Sequence, residues 1–315
     1  MKISRQNVCR LLMQHQRILL LSHQSPDGDT LGSAYAMFYA LKKLGKQANI
    51  LCSDKIPEKY DYMTSAAVLD EIDPDLIVAV DIADEGLFGK KLEPYRGRVD
   101  LCIDHHPSNT RYAKKILLVS SASAVCEIIY TVVRGMGLEM DPAIADCLYT
   151  GICTDTGCFR YANVTPRTHR IAAALMQAGA QSAMINQIMF DTKSRSRIML
   201  ERFAMESIEY FYEGKCAAVT VSRSMMEESG ADDSDLDGVS SMPRQIEGVL
   251  VGITVREKEP ESYKISIRTQ GEINASKICG LFGGGGHKNA AGCTIAGTLP
   301  EVKKKLIEAV GPFLE

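Results

Sequence analysis

The chain has 315 residues, about twice the usual size of one domain, so two domains are expected. Hydrophobic residues make up 45% and charged residues 24%, which excludes a disordered chain, a collagen-like fibre and a coiled-coil rod. The formal charge of -3 supplies no overall field for nucleic acid or an anionic membrane, so an anionic substrate must be drawn by a local site. Taken in order, the N-terminus has no signal-peptide apolar region, and the run 18–21 is far too short for a bilayer, which needs about 20 residues. A cytoplasmic protein with no membrane partner is expected. Residues 18–22 predict a buried strand, and 30–44 carry apolar residues at helical spacing. Residues 47–52, 75–81 and 99–104 predict three more strands. Continuous apolar strands alternating with helices imply a parallel sheet covered on both faces. A mostly helical stretch follows over 123–210, in which Asp141-Pro142 and Thr165-Pro166 each read as a helix start. Residues 216–222, 248–257 and 262–268 read as antiparallel strands, broken by the acidic segment 227–237. Thr298-Leu-Pro300 opens a terminal amphipathic helix.

The expected fold class is therefore α/β. An N-terminal, mostly parallel sheet flanked by helices (1–190) leads through a helical connector (191–214) to a smaller C-terminal α+β domain (215–315). The ten cysteines form no CxxC pair and sit largely in apolar runs, so they read as reduced, buried thiols of the cytosol. With no Trp and 6% aromatics, a broad base-stacking platform is excluded.

Functional groups in open parallel sheets gather beyond the carboxyl ends of the strands. Here those positions carry His23-Gln-Ser-Pro-Asp27-Gly-Asp29, Asp81 and Asp104-His105-His106, and the apolar helix from Pro142 ends in Thr154-Asp155. Each alone can also be read as a polar turn or helix cap. Together they point to a cation site, because carboxylates converging in one cleft repel strongly unless positive charge is supplied. Two divalent ions would balance Asp27, Asp29, Asp81 and Asp155. Mixed imidazole and carboxylate donors suit Mn²⁺ and related ions better than an all-oxygen Mg²⁺ cage. Arg160, just after the Asp155 loop, is placed to touch a base or phosphate.

These residues, with Ser266-Ile-Arg268 and the run 283–292 that contains Gly284-Gly285-Gly286-His287, resemble the DHH phosphoesterase superfamily with its DHHA1 domain. The chain looks most like the stand-alone nanoRNase (oligoribonuclease)/pAp phosphatase type. That resemblance implies hydrolysis of short RNA to mononucleotides and of 3′-phosphoadenosine 5′-phosphate (pAp) to AMP, with two divalent ions, Mn²⁺ first and Mg²⁺ or Co²⁺ as substitutes. It implies His23 and Asp27 on one ion, Asp29, His105 and Asp155 on the other, and Asp81 on both. His106 would face the scissile phosphate, and Asp104 would orient an imidazole. In the second domain, Arg268 offers a fork for a phosphate, His287 a further donor, and the glycine backbone free N–H groups as a cradle, alongside Ser266. The domains are expected to clamp a short, single-stranded substrate. The alternatives are a cyclic-dinucleotide or pApA phosphodiesterase and, in another class, a non-catalytic RNA- or nucleotide-binding module. Assembly as a homodimer is left open.

Overall fold

Strands β1 (Arg17–Ser22), β2 (Gln47–Cys52), β3 (Leu76–Val80), β4 (Leu101–Asp104) and β5 (Lys115–Leu118) pair in parallel in the order β2-β1-β3-β4-β5. A computed structural model describes residues 1–236 and 238–314, so Asp237, the end of the acidic segment, lies outside the described residues. The chain divides into two compact units, Met1–Thr192 and Lys193–Glu315.

In the first unit the helices are α1 (Arg5–Gln14), α2 (Gly28–Lys43), the single turns α3 (Asp61–Thr64) and α4 (Gly89–Leu92), α5 (Val125–Gly135), α6 (Pro142–Asp155), α7 (Pro166–Gln177) and α8 (Ser182–Asn186). Every residue of β3 is apolar and buried, as a strand covered on both faces requires. Alternation assigns the faces: Ile18, Leu20, Val78 and Val80 join the core under α2, α5 and α6. Leu19, Leu21, Ile77 and Ala79 join the opposite core, with Phe88 and Leu92. Each such side chain contributes about 1.5–3 kcal/mol by leaving water. Helices α2 and α6 meet through glycine: a Cβ on Gly32 would stand 2.3 Å from the Cys147 carbonyl oxygen, and one on Gly151 would stand 2.7 Å from Asp29 Oδ1. The order 2-1-3 makes β1 and β3 the switch point, outside whose carboxyl ends a ligand crevice forms. Among the described residues no helix is long and apolar enough to cross a membrane.

The second unit contains α9 (Arg195–Glu206), β6 (Glu209–Phe211), β7 (Cys216–Val221), α10 (Arg223–Ser229), β8 (Val251–Glu259), β9 (Ser262–Thr269), α11 (Ala275–Gly280), β10 (Gly285–His287), β11 (Ala290–Ala296) and α12 (Leu299–Val310). Its sheet order is β10-β11-β9-β8-β7-β6. Ile253, Ile265 and Ile267 pack with Ile278, Val302 and Leu306 of α11 and α12, while Val219 and Val221 meet Leu200 and Ala204 of α9. The expectation of antiparallel strands needs one correction: β7 and β8 are parallel, joined by the long segment that contains α10. The helix expected to reach Tyr210 ends at Glu206, and Tyr210 pairs with Ala217 in the sheet instead.

Candidate metal centre

Three strands of the first sheet deliver their next residues to one place. β1 ends at Ser22 and His23 follows; β3 ends at Val80 and Asp81 follows; β4 ends at Asp104, followed by His105 and His106. Asp27 is the N-cap of α2, its Oδ1 accepting from the Asp29 N–H at 3.0 Å and the Thr30 N–H at 3.1 Å, so helix capping fixes the carboxylate beside the strand ends. Asp29 lies in the first turn of α2, and Asp155 is the last residue of α6. Asp81 holds a left-handed backbone (φ 58°), a conformation that Asp tolerates better than most residues, and the bend turns the chain out of the strand.

His23 Nε2 lies 3.7 Å from Asp27 Oδ1 and 3.8 Å from Asp81 Oδ2. His105 Nε2 lies 3.4 Å from Asp155 Oδ2 and 3.8 Å from Asp81 Oδ1. Potential ligand atoms thus fall into three overlapping groups, His23–Asp27–Asp81, Asp29–His105–Asp155 and Asp81–His105–His106, each within 4.8 Å. Asp81 turns Oδ2 towards His23 and Oδ1 towards His105, and His106 Nδ1 also lies 3.5 Å from Oδ1. His23 Nδ1 donates to the Gln24 carbonyl at 2.7 Å and His105 Nδ1 to the Ala122 carbonyl at 3.0 Å. A carbonyl only accepts, so each Nδ1 carries its hydrogen, and in the neutral ring Nε2 is a lone pair facing carboxylate oxygens. Those separations are too long for hydrogen bonds and suit two donors sharing one cation.

The electrostatics agree. Burial, then the charges of Asp29, Asp27, Asp155 and Asp104, push Asp81 well above the ordinary carboxylate range. Burial, then Asp29 and Asp27, does the same to Asp155. Burial also raises Asp29, partly offset by His105. Burial alone would lower His23, but the neighbouring Asp27 carboxylate holds it above its usual value. Asp81 is only 3% exposed, and among the described residues its Oδ1 has no hydrogen-bond partner. An orphaned buried carboxylate oxygen is costly, and the mixed nitrogen and oxygen donors fit divalent metal ions.

Beside this cluster, His106 Nδ1 meets Asp104 Oδ1 at 2.8 Å. Burial would raise Asp104, but hydrogen bonds from His106 and Asn109 hold it below the usual range, so it is the acceptor. Asn109 was not foreseen: its Nδ2 donates to Asp104 Oδ2 at 2.6 Å. A single loop amide carries no periodic signal, and only its place three residues after His106 hints at a role. The Ala122 carbonyl that orients His105 carries no side-chain signal at all.

Arg160 belongs to none of these ligand groups. Arg160 Nε donates to the Gly157 carbonyl at 2.6 Å, and its guanidinium lies 5.6 Å from the Phe190 ring centroid. In the second unit, Ser266 and Arg268 sit on β9, opposite Gly292 and Ala290 of β11. Gly285, Gly286 and His287 form the edge strand β10. The expected cradle of free N–H groups is corrected for its first members: Gly283 N–H goes to the Gly280 carbonyl at 3.1 Å and Gly284 N–H to the Cys279 carbonyl at 3.0 Å, closing the end of α11. Gly284 is also a packing requirement, since a Cβ there would meet the Gly292 carbonyl oxygen at 2.3 Å.

Comparison with known proteins adds the following. The DHH family, N-terminal domain, matches residues 17–152, and the DHHA1 domain matches residues 213–315. The chain is 31% identical over 309 residues to the bifunctional oligoribonuclease and PAP phosphatase NrnA of Thermus thermophilus, covering 93% of this chain and 89% of that one. It is 25% identical to the protein of the same name from Bacillus subtilis, with 91% of each covered. A crystal structure of an exopolyphosphatase-related protein from Bacteroides fragilis superposes with a TM-score of 0.90 at 22% identity, over 98% of this chain and 97% of that one, a likeness of fold.

Proposed function

This chain belongs to the DHH family and carries a DHHA1 domain, and from that premise we propose that it is a metal-dependent phosphoesterase that hydrolyses short RNA oligonucleotides to mononucleotides and pAp to AMP. Two relatives that match over 93% and 91% of the chain carry both activities in their names. The observation that carries the metal reading is Asp81, whose two oxygens stand between His23 and His105.

In this reading His23, Asp27 and Asp81 would hold one ion and Asp29, His105 and Asp155, together with Asp81, the other, with Mn²⁺ favoured by the donor set. When bound, such a pair polarises a phosphoryl oxygen and acidifies a water. The chain's own residues do the rest. Asp104 keeps Nδ1 of His106 engaged at 2.8 Å, so Nε2 is the ring nitrogen that acts on substrate, stabilising charge or protonating the leaving oxygen. Arg268 forks a phosphate and His287 donates to it, with Ser266, Gly285 and Gly286 leaving room for its approach and Arg160 near the base. A cytoplasmic place of action belongs to the same reading, supported by ten unpaired cysteines.

Side-by-side turnover of a dinucleotide, a pentanucleotide, pAp, pApA and c-di-AMP with Mn²⁺ tests it. Release of AMP from pAp and of mononucleotides from the short RNAs is expected. Turnover confined to c-di-AMP or pApA would replace the substrate, and dinucleotide binding without any release would replace the enzyme with a binding module.

A further inference from the structure

Asn109 is 8% exposed and ties together the two loops that bear the centre. Its Nδ2 donates to Asp104 Oδ2 at 2.6 Å and to the Ile82 carbonyl at 3.4 Å, while its Oδ1 accepts the Arg111 N–H at 2.7 Å. These partners settle which end of the amide is which, since carboxylate and carbonyl only accept and a backbone N–H only donates. Asp104 is fully buried. Its Oδ1 already receives the His105 N–H at 2.8 Å, the His106 N–H at 3.2 Å and His106 Nδ1 at 2.8 Å. Among the described residues Asn109 is the one donor to Oδ2. Without it, a charged oxygen would be left buried and unsatisfied. The carboxylate would then rotate towards other donors or take up a proton, and Oδ1 would no longer lie where His106 Nδ1 meets it. The next residue extends the tie, Thr110 N–H donating to the Ala83 carbonyl at 2.9 Å.

We propose that Asn109 is a positioning residue: it holds Asp104 in the orientation that keeps His106 Nδ1 turned inward and Nε2 turned to the substrate phosphate. What His106 does rests on the phosphoesterase reading above; how His106 is held does not.

The test uses the full chain loaded with Mn²⁺ and a dinucleotide substrate. Asn109→Ala lowers kcat about tenfold to a hundredfold, the usual cost of removing a partner that orients a working side chain, with KM within about threefold. Asn109→Asp, nearly isosteric, sets a second carboxylate against Asp104 and loses at least as much. In a His106→Ala background, Asn109→Ala costs less than about twofold, because the route through His106 is already gone. Equal losses in both backgrounds would mean a general structural role and overturn the proposal. A readout independent of activity is the His106 Nδ1 proton in NMR spectra of the Mg²⁺ form: slow to exchange in the wild type, lost in Asn109→Ala. If the wild type hydrolyses none of the phosphoesters but the variant loses this resonance, the phosphoesterase reading fails and the positioning role stands. If the resonance is unchanged in Asn109→Ala, the positioning role fails.

Discussion

Val125 donates its backbone N–H to Asp29 Oδ2 at 2.5 Å, and Cys126 donates to Oδ1 at 2.8 Å, so a carboxylate on α2 closes the N-terminus of α5. The α5 N-cap, Ala124, has no side chain to do so. Exposed helix amides favour negative charge, so Asp29 is held by the fold as well as being a candidate ligand. Asp29→Asn leaves one of these N–H groups facing an NH₂. It should lower the stability of the metal-free protein by about 1–3 kcal/mol. Urea unfolding in EDTA measures this, and an unchanged midpoint would refute it.

Asp81→Asn should behave in the opposite way. The amide tolerates the left-handed backbone, and removing a charge from a crowded group of carboxylates relieves the repulsion that raises Asp81. The melting temperature in EDTA should rise, while turnover and the stabilisation given by Mn²⁺ are lost. That exchange of stability for function is usual at active sites. Near-normal turnover would remove Asp81 from the centre.

The metal-free protein should also respond to pH in a definite sense. Asp81 and Asp155 are raised by burial and by neighbouring carboxylates, and in His23 and His106 the pull of Asp27 and Asp104 outweighs burial. A raised group stabilises the fold fully below its unfolded pKa and loses that contribution as pH rises through the folded value. These windows open at about 3.9 for the aspartates and about 6.5 for the histidines. Asp27 and Asp104 are lowered, so their contribution is lost only under more acidic conditions. Melting temperature in EDTA should therefore climb as pH falls from about 8 to about 5. With Mn²⁺ the trend should reverse, because ligands must be deprotonated. A flat or falling profile in EDTA would contradict the assignment.

The glycine run separates packing from function. Gly284→Ala forces a methyl into the Gly292 carbonyl and should destabilise the second unit by about 1–3 kcal/mol. Gly285 has open space where a Cβ would stand, so Gly285→Ala should fold normally. If its bare backbone admits a phosphate, kcat/KM still falls. Thermal melts and steady-state kinetics on the pair distinguish the two roles.

Arg268→Ala should raise KM for pAp and dinucleotide more than it lowers kcat, the signature of lost ground-state binding. A pure kcat loss with unchanged KM would move Arg268 from grip to chemistry.

What could be read from the chain follows from how strongly each feature is determined locally. The run 75–81 had to be a buried parallel strand because nothing else hides five consecutive apolar residues so economically, and β2 spans the predicted 47–52. The starts of α6 and α7 were legible in Asp141-Pro142 and Thr165-Pro166. β5 was missed: its four residues open with a lysine, and pairing with β4 rather than any pattern of its own makes it a strand. The parallel register of β7 and β8 was missed because alternation says nothing of strand direction. His23 and Asp81 stand out as candidates because each directly follows a buried, mostly apolar strand. The glycine run was misread in part because composition does not tell a free cradle from amides already spent on a helix end.

The glycine seam between α2 and α6 bears on which ions the cavity admits. The two rods that carry Asp29 and Asp155 touch backbone to backbone at Gly32 and Gly151 and have little freedom to spread. Calcium prefers longer bonds, about 2.3–2.6 Å, and a pliant shell of six to eight oxygens. If these side chains hold ions as proposed, a vise this stiff would discriminate by ionic radius, and calcium should bind more weakly than smaller divalent ions.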